Sequence, residues 1–362
     1  MARALEERRY VGIDLGKRTY TLAVINEQGK VALSSGETSP EGRQALYKKL
    51  VPTDRVAIEA GNLAFEMAKE MMARVGSEVV VLNASKLALI YGSMKKTDKE
   101  DALKLAKLVQ RYEASELPVV AVPSDREMYR RKLLAAYKRA KRDRTQSVNQ
   151  LHKLFVQMGI TTVVKKDLAK KAKRDEMAKL LQGLEREEGK YVLARIDLSE
   201  RRIAELQAGM DKEAEGDGQI QILQTIPGVG PLTAFAFVSY VDVRRFDNAA
   251  QVSNYFGLVP KVDISCTIVK YGRITKRGNG YVRSLLVQAA WSTVRNKKGG
   301  ALRERFEDTK GSVGKKKTIV GIARRLAGLM YTMLKNGTEY EPRRYKGGKA
   351  ASVERLAEAA VA

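Results

Sequence analysis

Four acidic residues in the amino-terminal part of the chain lie where carboxylates could bind a metal ion. Asp14 interrupts an apolar run that begins at Tyr10, and Glu59 ends a second apolar run. An acid in a strand otherwise suited to burial is costly unless it is paired or binds a metal. Asp98 and Asp101 begin a segment with helical periodicity, and their spacing places both carboxylates on one face of that helix. The four residues are therefore candidate metal ligands.

Each of these acids also has a structural interpretation. Asp14 could be solvated on an edge strand, and Glu59 could cap the helix that follows its strand. A capping box that begins at Thr97 would make Asp98 a first-turn acid, which the helix dipole favours. That interpretation explains Asp101 poorly, so the role of the set depends on the rest of the chain.

The elements that would position the acids follow from the apolar pattern. Two β-rich runs joined by Gly16 and Lys17 predict a hairpin, which a third strand and then alternating helices and strands follow. The predicted order is β-β-β-α-β-α-β-α, with acids on the first and fourth strands and on the last helix. Ligands and catalytic groups collect at the carboxyl ends of strands in such sheets. The predicted strands cover residues 10–15, 20–25, 31–35, 55–62 and 78–83, and the predicted helices cover 40–50, 63–75 and 96–109.

The charge of the chain favours a polyanionic partner. Its 362 residues are enough for two or three domains, with a net charge of +25 and a pI of about 9.9. This balance indicates nucleic acid, with a membrane surface as the weaker alternative. No apolar run approaches the roughly 18 residues of a spanning helix, and the start of the chain has no apolar signal core. We therefore expect a cytoplasmic protein without a membrane partner.

The scarcity of cysteine and histidine limits the chemistry. Cys266 is the single cysteine, which excludes an intrachain disulfide and a cysteine-based zinc site. His152 is the single histidine, which disfavours histidine-ligand metal sites and Ser-His-Asp catalysis. A metal must then be held by carboxylates, the ligands that magnesium and manganese prefer.

A basic helical segment follows the prolines at 118 and 123. Residues 126–157 form a long helical pattern, and Lys and Arg far outnumber Asp and Glu in its first half. Further helices are predicted at 167–184 and 185–214, with heptad-like apolar spacing that favours an α-helical hairpin or coiled coil. The alternative is a structural spacer with solvated charge. The candidates for gripping a nucleic-acid backbone are Arg139, Arg142 and Arg144.

Two later segments contain glycines that could serve phosphate binding. Residues 220–234 match a helix-hairpin-helix, with Gly228 and Gly230 in the turn. The glycines would let backbone amides approach a phosphate, although an ordinary turn between helices is the alternative. Residues 261–267 are predicted to be irregular or extended, and a basic, glycine-rich loop is predicted at 270–280. The candidate phosphate contacts in that loop are Lys270, Arg273, Lys276 and Arg277.

The order of elements and the positions of the acids resemble a RuvC-like resolvase domain of the ribonuclease H fold. That fold places its first metal-binding aspartate on the first strand. The stretch Gly-Ile-Asp-Leu-Gly around Asp14 also resembles the first phosphate loop of actin-like ATPases. Such an ATPase needs a second Asp-x-Gly phosphate loop much later in the chain, which this sequence does not contain. The basic charge disfavours an ATPase as well.

Over roughly residues 9–340 the chain resembles the transposases of the insertion sequence 110 family. These proteins are also called DEDD transposases and bridge-RNA-guided serine recombinases. No single motif carries the resemblance, but the ordered set is specific. Its amino-terminal marks are Gly-Ile-Asp14, Ile-Glu59-Ala and Lys-Thr-Asp98-Lys-Glu-Asp101-Ala, and its middle mark is Arg144-Thr145 with Asn149 and Leu151. Its carboxy-terminal marks are Ile226-Pro-Gly-Val-Gly-Pro231, Asp242-Val-Arg-Arg-Phe246, Gly257-Leu-Val-Pro260, Ser265, Ile274-Thr-Lys-Arg-Gly278-Asn279 and Tyr281-Val-Arg283.

The resemblance implies an RNA-guided recombinase that excises and inserts its own mobile element. Its partners would be donor DNA, target DNA and a guide (bridge) RNA. Its RuvC-like site would bind magnesium or manganese through Asp14, Glu59, Asp98 and Asp101, and Ser265 would attack DNA. The protein would be a homo-oligomer, a dimer or a tetramer, and would act at the nucleoid of a prokaryotic cytoplasm.

The segment around the serine departs from the family pattern. The family usually has Ser-Ser-Gly-Gly here, with the second serine catalytic, whereas this chain has Ile264-Ser265-Cys266-Thr267. The glycines are missing, but Ser265 stays in register with the flanking Gly-Leu-Val-Pro and Lys-Arg-Gly-Asn motifs.

The expected fold class is α/β plus α. We expect a RuvC-like DEDD domain at 1–123, a helical coiled-coil arm at 124–215, a mostly helical domain with a helix-hairpin-helix and the serine at 216–342, and a basic flexible tail at 343–362. Two rival functions stay open. One is a metal-dependent Holliday junction resolvase or nuclease without serine chemistry, which serine dependence of strand cleavage would distinguish. The other is an RNA-binding scaffold with a degenerate nuclease fold, which the intact set of acids argues against.

Overall fold

The computed structural model describes residues 8–61, 63–84, 86–87, 97–265 and 268–342. Backbone contacts divide the chain after Ser124 into two compact units. The predicted tail at 343–362 lies outside the described residues.

The amino-terminal unit is built on a five-stranded sheet with the order β3-β2-β1-β4-β5. The first three strands form an antiparallel meander, and β4 and β5 continue the sheet parallel to β1. The sheet gives a mixed α/β unit, and the order of its described elements is the predicted one. The strands are β1 (Tyr10–Leu15), β2 (Thr19–Ile25), β3 (Val31–Glu37), β4 (Arg55–Glu59) and β5 (Glu78–Leu82).

Helices cover both faces of this sheet. The helices α1 (Pro40–Tyr47) and α2 (Ala64–Arg74) cover one face, and α3 (Asp98–Arg111) covers the other. Successive strand residues point to opposite faces, so Val11 packs toward α2 while Ala57 packs toward α3. The strand residues are apolar on both sides because each side is buried.

The direction of α3 is fixed by the side chain of Arg55 at the start of β4. This guanidinium is almost fully buried, and its Nη1 donates to the carbonyl oxygens of Val109 at 3.1 Å and Tyr112 at 3.2 Å. The carboxyl end of α3 therefore lies at the beginning of β4, and α3 runs antiparallel to β1 and β4. The amino end of α3 lies toward the carboxyl ends of these strands.

The carboxy-terminal unit begins with a pair of long helices, α4 (Asp125–Gln157) and α7 (Gly183–Ala214). Leu134 packs with Leu206 in one cluster, and Leu151 packs with Ile196 in another. The pair is therefore an antiparallel helical hairpin, in agreement with the predicted spacing. Two short helices lie between them, α5 (Lys165–Leu168) and α6 (Lys171–Ala178).

The predicted single helix at 167–184 is wrong, because the chain bends between α5 and α6. Arg174 on α6 is fully buried and donates to Asp197 and Glu200 of α7, both at 3.0 Å. It also donates to the carbonyl oxygen of Leu168 at 3.3 Å. The bend brings this guanidinium to its partners, so a tertiary ion cluster prevails over helical propensity.

The remaining elements form one hydrophobic core together with the base of the helical hairpin, which includes Tyr137 and Met210. No helix in the described part of the chain is long and apolar enough to span a membrane. The elements are α8 (Gly218–Gln224), α9 (Pro231–Tyr240), a 3-10 helix (Val243–Arg245), α10 (Ala249–Tyr255), β6 (Pro260–Ser265), β7 (Ile268–Ile274), α11 (Gly280–Arg295), α12 (Gly300–Val313) and α13 (Lys315–Asn336).

Most of the segment predicted to be irregular or extended is extended, because β6 covers Pro260–Ser265 and forms one strand of a β-hairpin. The loop predicted at 270–280 begins instead on the second strand of that hairpin. The strands β6 and β7 pair antiparallel, with Val262 opposite Tyr271 and Ser265 opposite Ile268. Lys270 and Arg273 therefore lie on a strand rather than in a loop. The pairing is decided by contacts between the two strands, which a single apolar pattern does not reveal.

Candidate functional site

Asp14 and Glu59 lie side by side at the carboxyl ends of two neighbouring parallel strands. The register pairs Ile13 with Ile58, so the following residue on each strand is one of the two acids. Both acids line one cavity of about 520 Å³, together with Lys17. The structure thus brings the first two predicted site residues together.

The same two acids lie on the face of the sheet that α3 covers. Glu59 follows Ala57 by two residues, and Ala57 packs against Leu105 of α3. Asp14 follows Gly12 by two residues, and a Cβ on Gly12 would collide with backbone atoms of α3. Side chains two residues apart on a strand share a face, so both carboxylates project toward the side from which α3 approaches.

Asp98 lies at the amino end of α3, beside a row of polar residues on the sheet. It lines a second cavity of about 780 Å³ with Thr21 and Ser35. Thr21 is the cross-strand partner of Asp14, and Ser35 is the partner of Thr21. The row Asp14–Thr21–Ser35 therefore runs across three strands next to Asp98.

Asp101 has a partner on its own helix. The Nζ of Lys104 donates to Oδ1 of Asp101 at 2.9 Å, and both side chains are partly exposed. The hydroxyl of Thr97 accepts a hydrogen bond from the backbone N–H of Glu100 at 3.3 Å, which confirms Thr97 as the helix cap. The acids of this first turn also lie where the helix dipole favours negative charge.

The four acids share one end and one face of the unit, but they do not form a closed cluster. In the described ranges no three Asp, Glu, His or Cys side chains lie close enough to hold a metal ion together. Asp14 and Glu59 line one cavity, while Asp98 lines the next. A shared metal site of all four acids stays a prediction.

Sequence reasoning missed the residues that complete these two cavities, namely Lys17, Thr21 and Ser35. The register of the β1–β2 hairpin could have identified Thr21 as a neighbour of Asp14. Once Gly16 and Lys17 are placed in the turn, Thr21 must face Asp14.

Ser265 is the last residue of β6 and lies opposite Ile268 on β7. Cys266 and Thr267, which replace the glycines of the family pattern, lie outside the described residues. The four predicted phosphate contacts nearby are all exposed; they are Lys270 and Arg273 on β7, and Lys276 and Arg277 in the loop that follows.

The loop after β7 is held in a fixed conformation. Lys276 has a φ of 55° and is alone among the described non-glycine residues in having a positive φ, which costs about 1–2 kcal/mol. Gly278 has a φ of 71°, and a Cβ there would collide with the carbonyl oxygen of Tyr255. The Nη1 of Arg283 donates to the carbonyl oxygens of Phe256 and Arg277, both at 2.9 Å. The cations of this loop are therefore presented by a rigid backbone.

The two glycines between α8 and α9 have different surroundings. A Cβ on Gly228 would collide with the backbone nitrogen of Thr293 on α11, and the φ of Gly228 is 99°. Close packing between the turn and α11 therefore accounts for this glycine without a bound phosphate. Gly230 precedes α9, and no atom lies within 4 Å of a Cβ built there. A phosphate contact at Gly230 stays a prediction.

The three arginines proposed for backbone binding on α4 are also not equivalent. The Nε of Arg144 donates to Glu200 at 2.8 Å, and its Nη2 donates to the carbonyl oxygen of Ala169 at 2.9 Å. Arg139 and Arg142 are exposed and have no ion-pair partner within the described ranges. Arg144 therefore stabilises the helical hairpin, and the other two are available to a ligand.

The hydrogen-bonding partners of Arg144 also set the charge state of the helical hairpin. Burial acts to raise the pKa of Glu200, but hydrogen bonds from Arg174 and Arg144 outweigh it and hold this pKa below its usual value. Glu200 therefore stays ionised between two guanidinium groups.

Comparisons with known proteins place the chain among transposases. A family of DEDD transposases of the insertion sequence 110 type matches residues 11–160, which include all four acids. A second family, described as Transposase IS116/IS110/IS902, matches residues 220–307, which include Ser265 and the four nearby cations.

Several bacterial relatives match over most of their length. A protein described as a probable family 20 transposase of Pseudomonas aeruginosa is 25% identical over 298 residues, which cover 79% of this chain and 84% of the relative. A protein described as a putative transposase of Sinorhizobium fredii is 28% identical over 364 residues, which cover 91% of this chain and 89% of the relative. The transposase for insertion sequence element IS1111A of Coxiella burnetii is 25% identical over 310 residues, covering 82% and 80%.

These matches and the fold agree on a class of protein, an enzyme of DNA transposition. The chain belongs to the insertion sequence 110 family of transposases.

Proposed function

We propose that this transposase is RNA-guided and cuts and rejoins DNA strands to excise and insert its own insertion sequence. The observation that carries the proposal is the placement of the acids. Asp14 and Glu59 share a cavity at the ends of β1 and β4, and α3 places Asp98 and Asp101 at the same end of the same face. Phosphoryl transfer on DNA needs stabilisation of negative charge, which carboxylates in this arrangement would supply by holding a divalent cation.

The donor set suits a hard divalent cation, magnesium or manganese, because carboxylate oxygens are the ligands these ions prefer. Asp14, Glu59, Asp98 and Asp101 would hold it. When bound, such an ion polarises a phosphoryl oxygen and neutralises developing charge. Lys104 forms a 2.9 Å ion pair with Asp101, which offsets part of the negative charge of this set. Lys17, which lines the cavity of Asp14 and Glu59, would likewise reduce the repulsion between their carboxylates.

Ser265 is the proposed nucleophile. Its hydroxyl oxygen would form a bond to the phosphorus of the DNA backbone as the bond from phosphorus to one ester oxygen breaks. The proton lost by the serine is balanced by the proton that the departing DNA oxygen gains, so a later attack by a DNA hydroxyl can reverse the step. The exposed cations Lys270, Arg273, Lys276 and Arg277 would stabilise the charge on the phosphate.

The guide RNA and the oligomer are part of the same proposal. The net charge of +25 exceeds what a small catalytic site needs, and Arg139 and Arg142 on α4 are available to an RNA backbone. Recombination joins two DNA molecules, so we propose a homo-oligomer, a dimer or tetramer, that holds both at the nucleoid.

The test is reconstitution of the full chain with RNA transcribed from the non-coding DNA that flanks its gene, together with labelled donor and target DNA. Wild type should give recombinant DNA and a covalent protein–DNA adduct on a denaturing gel. Ser265→Ala should give neither while still binding both nucleic acids. The matched control is Ser284→Ala, because the Ser284 hydroxyl is exposed and donates to the carbonyl oxygen of Tyr281 on its own helix at 2.7 Å.

Other outcomes would identify the rival functions. Strand cuts without an adduct, unaffected by Ser265→Ala but abolished by Asp14→Asn, would indicate a metal-dependent resolvase or nuclease. The acids on a ribonuclease-H-type sheet favour that enzyme as the second candidate. Binding of RNA without any cleavage would indicate a scaffold.

A further inference from the structure

A cationic groove lies between α10, α12 and α13 in the carboxy-terminal unit. Its volume is about 640 Å³, and no acidic side chain lines it among the described residues. Four positively charged side chains and four small residues define its character. The cations are Arg305, Lys317, Arg324 and Arg325, and the small residues are Ala249, Ala250, Gly321 and Gly328.

Hydrogen bonds hold the walls of this groove together. The Ser253 hydroxyl on α10 lies 3.2 Å from the carbonyl oxygen of Arg324 on α13, to which it can donate. The Thr318 hydroxyl on α13 donates to the carbonyl oxygen of Thr309 on α12 at 3.4 Å. Both hydroxyl-bearing residues are buried. The groove is therefore a preformed feature rather than a gap between mobile helices.

Two glycines of α13 line the bottom of the groove, Gly321 and Gly328, and their lack of side chains leaves space there. No atom lies within 4 Å of a Cβ built on Gly321, so a larger residue would fit there without a clash. Glycine inside a helix costs roughly 0.5–1 kcal/mol relative to alanine. Gly321 lies in the middle of a 22-residue helix, and packing does not require a glycine there. A ligand that contacts the backbone at the bottom of the groove would explain it.

The charges on α13 oppose the stability of the helix. Its first turn contains Lys315, Lys316 and Lys317 and no acid. Cations at the amino end of a helix oppose the macrodipole, whereas an anion there is favourable. Lys317 and Arg324 make no ion pair within the described part of the chain. A bound anion would remove both the unfavourable dipole interaction and the repulsion among these cations.

The positions of the groove residues suit an extended anion. Lys317, Gly321, Arg324 and Gly328 follow one another at helical spacing and lie on one face of α13. Lys317 and Arg324 are separated by about 10 Å along the helix axis. That separation exceeds the roughly 3.4 Å at which charges repeat along one strand of a duplex, so the two cations would reach different phosphates.

We propose that this groove, named here the α13 groove, binds the phosphodiester backbone of a nucleic acid. The inference rests on the proposed function only in taking nucleic acid as the partner. The lining of the groove includes none of the four acids and neither Ser265 nor the arginines of α4. DNA and RNA offer the same backbone chemistry, so the experiment has one arm for each.

The first test measures the affinity of the full-length protein for a fluorescent DNA duplex and for a single-stranded RNA at several salt concentrations. The double variant Lys317→Gln/Arg324→Gln should weaken binding in the arm that uses the groove. The slope of log K against log salt should fall by about 1.8 for duplex DNA or about 1.4 for single-stranded RNA. The matched control Lys297→Gln/Lys298→Gln removes two exposed lysines outside the groove and should change the slope by less than half as much.

The second test changes the floor without removing a cation. Gly321→Ala should raise the melting temperature, because alanine favours a helix, and should leave both affinities within about twofold. Gly321→Glu should also stay folded, since the position is exposed and open. Its carboxylate would repel the phosphates and weaken binding severalfold in the same arm that Lys317→Gln/Arg324→Gln weakens.

The outcomes separate this inference from the proposed function. If wild type binds nucleic acid and neither the cation variant nor Gly321→Glu changes affinity or slope in either arm, the α13 groove does not bind a backbone, and the proposed function is unaffected. If wild type binds neither DNA nor RNA, both proposals fail.

Discussion

The backbone of Gly12 on β1 lies directly against the carbonyl group of Ala102 on α3, with no room for a side chain between them. Asp14 lies two residues after Gly12, and Asp98 lies one helical turn before Ala102. Because α3 runs antiparallel to β1, this contact brings both acids to the same end of the unit. The placement of the candidate site therefore depends on a residue that takes no part in chemistry.

Replacing Gly12 with alanine should destabilise the amino-terminal unit and displace α3. A new Cβ would overlap the carbonyl oxygen of Ala102 and the amide nitrogen of Ala106, and backbone atoms cannot move aside as a side-chain end can. Overpacking of this kind costs about 1–3 kcal/mol. Urea unfolding followed by circular dichroism should show the loss. Gly311→Ala is the control, because a Cβ there meets no atom within 4 Å, and unchanged stability of Gly12→Ala would contradict the tight contact.

Magnesium should stabilise the wild-type protein against heat. Carboxylates brought together repel each other, and a divalent cation relieves that repulsion. A tenfold excess of magnesium over its dissociation constant corresponds to about 1.4 kcal/mol, and Asp14→Asn should abolish the response. Glu100→Gln is a matched control, because Glu100 lies in the same first turn of α3 but outside the proposed ligand set. An equal response in Asp14→Asn would remove Asp14 from the metal site.

Replacing different arginines of α4 should affect RNA binding in one case and the stability of the protein in the other. Arg139→Gln/Arg142→Gln should reduce the salt dependence of RNA binding while leaving the melting temperature unchanged, since neither side chain is paired in the described structure. Arg144→Gln should instead lower stability by about 1 kcal/mol, because it breaks the bonds to Glu200 and Ala169. Filter binding and thermal unfolding of the same samples would test both. RNA affinity that falls only in Arg144→Gln would reverse the assignment.

Much of the secondary structure of the amino-terminal unit could be predicted, because short stretches of the sequence determine its strands and helices. The apolar runs around Asp14 and Glu59 identify their strands, and Thr97 identifies the start of α3. The exact packing could not be predicted, because it depends on pairs of residues far apart in the chain. Nothing near Gly12 in the sequence indicates that Ala102 and Ala106 will lie against it.

The carboxy-terminal unit was harder to predict from the sequence, because the roles of its residues also depend on contacts between distant parts of the chain. Arg139, Arg142 and Arg144 look alike in the sequence, and only the partner Glu200 on another helix distinguishes Arg144. The pairing of β6 with β7 is local, but Gly272 interrupts the pattern of β7, so the sequence signal for this hairpin is weak. Site residues on regular elements with a clear period were found, whereas residues fixed by tertiary contacts were not.

Acid should destabilise the helical hairpin of the carboxy-terminal unit through Glu200. Burial acts to raise the pKa of this carboxyl, but hydrogen bonds from Arg174 and Arg144 outweigh it, so its folded-state pKa lies below the unfolded value of about 4.3. A depressed pKa means that the stabilisation is fully present above about pH 4.3 and is lost as the pH falls through the folded-state pKa. Urea unfolding at about pH 3, 5 and 7 should show this loss.

Glu200→Gln should be less stable than wild type at neutral pH, since the buried Arg174 loses a charged partner. The difference in unfolding free energy between the variant and wild type should become smaller in acid. The control Glu188→Gln removes an exposed acid of the same helix and should follow wild type throughout. A gap between Glu200→Gln and wild type that stays constant from neutral to acid pH would show that Glu200 does not carry the pH dependence.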